Sequence, residues 1–239
     1  MYLAKTLQDI INSSKKIVFF GGAGVSTESG IPDFRSTDGL YNQRYKYPPE
    51  TILSHDFFAY NPQEFYRFYK DKMLCLDAQP NEAHLFLARL EKLGKLTGIV
   101  TQNIDGLHQK AGSSKVFELH GSVHRNYCSE CHKLYDAQYI LNSADVPLCS
   151  CGGILKPDVV LYDELLDGDT VSGAIAAIVA ADTMIVAGTS LTVYPAASLL
   201  QYFCGEHLVL INRDETGLDS CADLVIRENV GEVFSKIVL

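Results

Sequence analysis

Apolar residues arrive along this chain in short unbroken runs, separated by longer stretches where they recur every three or four positions. The runs fall at 17–20, 98–101, 115–119, 158–162, 183–187, 207–211 and 223–226, and each reads as a strand. A run such as Ile17-Val18-Phe19-Phe20, with no polar alternation, predicts a parallel strand buried on both faces. Between the runs the spacing turns helical. Ala83, Phe86, Leu87, Leu90 and Leu93 share one face of segment 80–93, and segments 170–180, 195–203 and 229–238 also look helical. Leu3, Leu7, Ile10 and Ile11 make an amphipathic first helix that ends near Asn12-Ser13-Ser14. This alternation predicts a doubly wound α/β fold, with helices on both faces of a parallel sheet.

Two stretches break the pattern. Residues 36–75 are rich in Tyr and Phe and hold Pro48, Pro49 and Pro62, which suggests loops and short helices. Residues 124–156 carry a cysteine cluster and little apolar material besides. Both read as insertions that together form a smaller second domain, a helical module plus a zinc ribbon. The main domain is then 1–35, 76–123 and 157–239. A cleft between the two is the natural ligand site, because pockets favour domain interfaces and the carboxyl ends of strands.

Composition narrows the classes. With 47% hydrophobic and 21% charged residues the chain is an ordinary soluble globular one, and no apolar run approaches the roughly 18 residues of a membrane span. Lys5, Gln8 and Asp9 interrupt the N-terminal apolar positions, so these do not form a signal peptide, and a cytoplasmic protein without membrane association is expected. A net charge of −9 argues against nucleic acid as the partner and is compatible with lysine-rich protein substrates.

Without a secretion signal, seven cysteines do not read as a disulfide framework. Cys128-x2-Cys131 and Cys149-x-Cys151, 17 residues apart, match a structural zinc ribbon in which four thiolates hold one Zn²⁺ at about 2.3 Å. His124 and His132 are rival ligands, but four thiolates leave nothing for them to do, and a filled site is structural where a catalytic one keeps an open position. An insertion of about 30 residues can hardly build its own core, so the metal is expected to fold it. Cys75, Cys204 and Cys221 read as buried small hydrophobes.

The most informative residues follow the strand-like runs. After 17–20 comes Gly21-Gly22-Ala23-Gly24-Val25-Ser26-Thr27-Glu28-Ser29-Gly30-Ile31-Pro32-Asp33-Phe34-Arg35. Glycines and small hydroxyl residues after a buried strand bring backbone N–H groups onto a phosphate, although they also serve as plain punctuation. The dehydrogenase fingerprint would need a third glycine at position 27, where Thr27 stands. Thr101 runs into Gln102-Asn103-Ile104-Asp105-Gly106-Leu107-His108, where Asn103 or Asp105 is either a ligand group or a helix cap. His120 ends another run, as a structural histidine or as a general base across a cleft from Asn103 and Asp105. Gly188-Thr189-Ser190 and Asn212-Arg213 end two more, as expected for an adenosine pocket.

Taken in order, these motifs resemble the sirtuins, the NAD-dependent protein lysine deacylases, over essentially the whole chain, and most of all the compact bacterial members. The resemblance implies a Rossmann-like NAD-binding domain and a set of roles. Gly22, Ala23, Gly24 and Thr27 would cradle the pyrophosphate. Phe34 and Arg35, with Asp33 beside them, would belong to the loop over the nicotinamide ribose. Ile104 and Asp105 would hold the nicotinamide carboxamide, and Gln102 and Asn103 the ribose hydroxyls and a water. Gly188, Thr189, Ser190, Asn212 and Arg213 would face the adenosine half, and Val160 and Tyr162 would wall the lysine tunnel. Catalysis would fall to His120, Asn103 and Asp105. NAD would be consumed as a cosubstrate: the acyl oxygen of a modified lysine displaces nicotinamide, and His120 activates a ribose hydroxyl. The ribose oxygen then attacks the amidate carbon, and water releases the free lysine and O-acetyl-ADP-ribose. The implied partners are acetyl-lysine proteins or peptides.

Two departures accompany the resemblance. Family members commonly carry Phe-Gly-Glu beyond the strand that pairs with substrate, where this chain has Tyr162-Asp163-Glu164. Members that remove succinyl or malonyl groups carry Tyr-x-x-Arg, and here Tyr66 is followed three positions later by Tyr69, so an uncharged acyl group, acetyl first, is expected. Mono-ADP-ribosyl transfer, NAD hydrolysis and a non-catalytic binding module are the rival functions. Family members of the first two kinds often lose the catalytic histidine, which stands here as His120, and a binding module would have no need of Asn103, Asp105 and His120 together.

Overall fold

The computed structural model describes residues 2–34, 39 and 45–239. In chain order its strands are β1 (Ile17–Gly21), β2 (Leu96–Thr101), β3 (Val116–Glu118), β4 (Gly121–Cys128), β5 (Leu134–Tyr135), β6 (Leu155–Val159), β7 (Thr183–Ala187), β8 (His207–Ile211) and β9 (Leu224–Ile226). Its helices are α1 (Tyr2–Ser13), α2 (Pro49–Ile52), α3 (His55–Tyr60), α4 (Pro62–Lys72), α5 (Glu82–Lys92), α6 (Leu107–Lys110), α7 (Ala137–Asn142), α8 (Gly168–Val179) and α9 (Val230–Ser235). Segment 195–203, expected as a helix, is the tighter 3-10 form over Ala196–Tyr202.

Six strands pair in the order β3-β2-β1-β7-β8-β9, and every pairing is parallel. Chain order reverses between β1 and β7, and that is where doubly wound sheets open a crevice. Side chains alternate across the sheet, which accounts for the unbroken apolar runs. Phe19, Ile99, Ile185 and Val209 pack on one side against Leu7 and Ile11 of α1, Phe86 and Leu90 of α5 and Phe234 of α9. Val18, Phe20, Val100, Met184 and Val186 pack on the other against Ala174, Ala177 and Ile178 of α8. Both faces are covered, so the strand centres are apolar, and polar residues such as Thr101, Glu118, Thr183 and His207 stand at strand ends.

The run at 158–162 is not a strand of this sheet. The observed strand is Leu155–Val159, an edge of a separate antiparallel sheet ordered β5-β4-β6. An edge position also tolerates Pro157, which has no N–H to donate. Its partner β4, Gly-Ser-Val-His-Arg-Asn-Tyr-Cys, escapes a hydrophobicity reading because polar residues fill most of it. Two of them are buried all the same: Ser122, and Asn126 with its Nδ2 donating to the Val123 carbonyl at 3.1 Å. A third core joins Ile52, Phe65, Tyr66 and Tyr69 to Val123, Ile140, Leu155, Val159 and Leu161. Within it the Tyr66 hydroxyl donates to the Leu155 carbonyl.

A histidine pair lies under the strand ends. Asn81 caps α5 by accepting from the Ala83 N–H at 2.9 Å, and its Nδ2 donates to the Val25 carbonyl at 2.8 Å, which ties α5 to the turn after β1. His84, third in that helix, lies with its ring 4.7 Å from that of His108 of α6 at a tilt of 56°, and both rings are buried. Burial lowers the His84 imidazole to about 4 and holds His108 well below its usual value. Both are therefore neutral in the folded chain. The unfolded chain protonates them near 6.5, so it binds more protons as pH falls and stability is lost between about 6.5 and 4. Urea midpoints should drop from pH 7 to pH 5, with a slope of up to about 1.4 kcal/mol per pH unit for each histidine. His84→Gln should flatten that slope. An unchanged midpoint at pH 5 would remove the pair as its cause.

Candidate active site

The carboxyl ends of β1, β2, β7 and β8 open into one cleft of about 370 Å³, within the roughly 300–1,000 Å³ usual for small-molecule sites. Ala23 and Gly24 line it from the turn after β1, and Asp33 and Phe34 from further along the same loop. Gln102, Asn103, Ile104 and Asp105 enter from the end of β2, and His120 from the turn between β3 and β4. Gly188, Thr189 and Ser190 follow β7, Asn212 and Arg213 follow β8, and Val160 and Tyr162 follow β6. Gly22 and Thr27 are not brought to the cleft. The Thr27 hydroxyl donates to the Gly24 carbonyl at 3.0 Å and closes its own turn. Arg35 lies outside the described residues.

Glycine is needed here for close approach. The Gly24 N–H donates to the Gly188 carbonyl at 2.8 Å, and a methyl group on Gly24 would sit 2.8 Å from the Gly188 Cα. The two glycine turns thus lock the β1 and β7 ends together at the point where strand order reverses. Across the opening, Gln102 Nε2 donates to Thr189 Oγ1 at 3.2 Å, and an Arg213–Asp33 ion pair at 3.7 Å spans from β8 to the loop after β1.

Around the polar centre each group has an assigned partner. Asp105 Oδ1 accepts the Leu107 N–H at 2.9 Å, and Oδ2 accepts the Ser26 hydroxyl at 2.7 Å. The carboxylate therefore caps the start of α6 and also faces the cleft. Asn103 Nδ2 donates to Ser26 Oγ at 3.0 Å, so a buried serine joins the amide to the carboxylate. Sequence reasoning missed Ser26. The available signal was its hydroxyl two residues beyond the glycine turn. His124 was weighed only as a zinc ligand. Its Nε2 bonds the Asp105 carbonyl at 2.9 Å, donating because a carbonyl only accepts, and it ties β4 to the loop after β2.

One hydrogen bond fixes the tautomer of His120. Its Nδ1 lies 3.0 Å from the Gln102 carbonyl, so Nδ1 carries the proton and Nε2 is left as an acceptor. Burial lowers its pKa, with the Gln102 hydrogen bond opposing, and the ring is neutral at pH 7. The backbone holds this geometry from both sides: the Val160 N–H donates to the His120 carbonyl at 3.0 Å, and Gly121 follows at φ 74. A side chain at Gly121 would fall on the Asp158 carbonyl.

The four cysteines converge away from the cleft. The sulfurs of Cys128, Cys131, Cys149 and Cys151 all lie within 4.8 Å of one another, and Cys128–Cys151 and Cys131–Cys149 are each 3.5 Å apart. A tetrahedral zinc with bonds of about 2.3 Å sets its sulfurs about 3.8 Å apart, so this set fits the ion. The charges fit as well. The amide of Cys151 and the Tyr135 hydroxyl draw the Cys149 thiol down to about 5. Cys151, although the Gly153 amide stabilises its thiolate, is pushed up to about 12 by the surrounding sulfurs, a conflict that a divalent cation resolves. No helix among the described residues is long and apolar enough to cross a membrane.

A parallel sheet with a crevice at its switch point, a neutral histidine in that crevice and a four-cysteine cluster that fits zinc are the features of a Rossmann-like fold with a structural metal site. Residues 22–195 match the model of the Sir2 family, and the chain belongs to that family. It is 59% identical over 236 residues to the NAD-dependent protein deacetylase of Clostridium perfringens (strain 13 / Type A), covering 97% of each chain. A solved Sir2 structure with a deacetylated p53 peptide and 3'-O-acetyl ADP ribose superposes with a TM-score of 0.90 at 43% identity, covering 97% of this chain and 96% of that one. Another, of Sir2 with p53 peptide and NAD+, gives 0.85 at 43% identity, covering 97% and 95%.

Proposed function

We propose that this protein is an NAD-dependent protein lysine deacetylase, which transfers the acetyl group of an acetyl-lysine protein to ADP-ribose and releases nicotinamide. The observation that carries this reading is His120, a neutral imidazole whose Nδ1 is engaged by the Gln102 carbonyl and whose Nε2 is left to take a proton at the cleft. When bound, NAD supplies a ribose carbon from which nicotinamide departs and hydroxyls that receive the acyl group. Ala23, Gly24, Gly188, Thr189 and Ser190 hold the phosphate and adenosine side at the strand ends, with Asn212 and Arg213 beside them. Gln102, Asn103, Ile104 and Asp105 orient the ribose and carboxamide, and Ser26 fixes the Asn103 and Asp105 side chains. Asp33 and Phe34 help exclude water from the reacting end. Val160 and Tyr162 wall the acyl-lysine. Zinc on Cys128, Cys131, Cys149 and Cys151 fastens the insertion. Segments 36–75 and 124–156 act as one small domain, a reading supported by the core they share. The protein works in the cytoplasm, where thiolates stay reduced.

Nicotinamide release should depend on an acetyl-lysine peptide. Release at the same rate without peptide would make the chain an NAD hydrolase instead. Acyl choice follows from Tyr69, which is fully buried and stacked at 5.4 Å on Phe65, leaving no guanidinium at the Tyr-x-x-Arg position. Succinyl-lysine peptide should react at least about tenfold more slowly than acetyl-lysine peptide, the cost of a carboxylate without its charge-assisted partner. Equal rates would refute that assignment.

A further inference from the structure

The chain leaves the edge strand β6 as Val160-Leu161-Tyr162-Asp163-Glu164, and Asp163 and Glu164 line the cleft along with Val160 and Tyr162. This segment is held tightly. The Tyr162 N–H donates to the Leu53 carbonyl at 2.9 Å, and the His55 N–H to the Tyr162 carbonyl at 3.1 Å. The Glu164 N–H donates to the Leu161 carbonyl at 3.1 Å and closes a turn. Glu164 Oε2 then accepts the Leu161 N–H at 2.9 Å and Lys156 Nζ at 3.0 Å, while Oε1 meets His55 Nδ1 at 2.8 Å. All the charge of Glu164 is engaged inside the protein.

Asp163, at the tip of that turn, is the opposite case. It is exposed, and its φ of 73 lies in the left-handed region, where a side chain is a cost and glycine is free. Asp158 is paired with Arg125 and Asp33 with Arg213, whereas no cation among the described residues pairs with Asp163. A strained residue at a functional edge points to a role there. Conformation alone does not require the charge, because asparagine adopts the left-handed region as readily and carries none.

We propose that Asp163 is a specificity-determining residue that selects acyl-lysine peptides carrying lysine or arginine beside the modified lysine. The proposal rests on the deacetylase reading. A peptide held in extended form in the cleft beside this turn presents its flanking side chains at fixed positions, and the Asp163 carboxylate at the cleft wall meets the one that supplies a cation.

The test uses acetyl-lysine peptides that are identical except for arginine or alanine on both sides of the modified residue. The wild-type protein should favour the arginine peptide in kcat/KM by about threefold, the scale of an exposed ion pair, and the preference should shrink as salt rises. Asp163→Asn keeps the left-handed turn and should bring the ratio to about one. A wild-type ratio of one, or an Asp163→Asn protein that retains the wild-type ratio, overturns the proposal. If the wild-type protein turns over neither peptide, the deacetylase reading fails and the proposal falls with it, an outcome distinct from activity without preference.

Discussion

Replacing His120 with alanine should lower acetyl-peptide turnover by roughly 10²–10⁴-fold, the usual contribution of a positioned general base. The fold should survive, because His120 bonds its neighbourhood through one ring nitrogen and its backbone carbonyl, and alanine keeps the second. Zinc content and melting temperature therefore serve as controls. The pH profile adds a second readout. The base acts when neutral, and burial favours the neutral form, so the active species persists to lower pH than an ordinary histidine allows. The ascending limb of kcat/KM should have its midpoint below about 6.5 in the wild-type protein and should vanish in His120→Ala. Full turnover in the variant would remove His120 from the chemistry.

Loss of one thiolate should be nearly as damaging, by another route. Cys128 and Cys149 belong to the same core as Phe65, Tyr66, Leu155 and Val159, so the metal site and the apolar core of this region are one structure. The same region carries β4, which begins at Gly121 directly after His120, and β6, which leads to Val160 and Tyr162. Structural zinc in small peptides holds on the order of 10 kcal/mol of folding free energy, comparable to the stability of a whole domain. Cys131→Ser, at an exposed position of the cluster, should purify with less than one zinc per chain, melt at lower temperature and lose most of its turnover. Chelation of the wild-type protein should reproduce all three effects, and restored zinc should reverse them in the wild type alone. Stoichiometric zinc with normal activity in Cys131→Ser would show that three thiolates suffice and that the fourth plays no part in folding.

The parallel sheet was legible because burial on both faces leaves the centres of its strands apolar, with residues such as Thr101, Thr183 and His207 kept to their ends. Ile17–Phe20 and residues 183–187 could be read directly. The antiparallel sheet was not, since Ser122 and Asn126 are buried through hydrogen bonds and carry no hydrophobic signal. The same limit makes residues 158–162 look like a strand: Val159, Val160 and Leu161 are apolar because they wall a cleft and a small core. At the site, spacing picked out the four cysteines, and strand ends picked out Asn103, Asp105 and His120. The partners that orient them were hidden. Ser26, His124 and the Gln102 carbonyl act through contacts made across the fold, and nothing local in the chain records a hydrogen bond to a residue 77 positions away. Thr27 shows the same limit, since a hydroxyl beside a glycine turn looks alike in sequence whether or not it closes its own turn, as this one does on the Gly24 carbonyl.

The central claim is that the acyl group goes to ADP-ribose and not directly to water. It is tested most directly by mass spectrometry of the products formed from an acetyl-lysine peptide and NAD. The account predicts equal amounts of deacetylated peptide, nicotinamide and O-acetyl-ADP-ribose, formed roughly 10²–10⁴-fold more slowly when His120 is alanine. Deacetylated peptide with free acetate and intact NAD would contradict it.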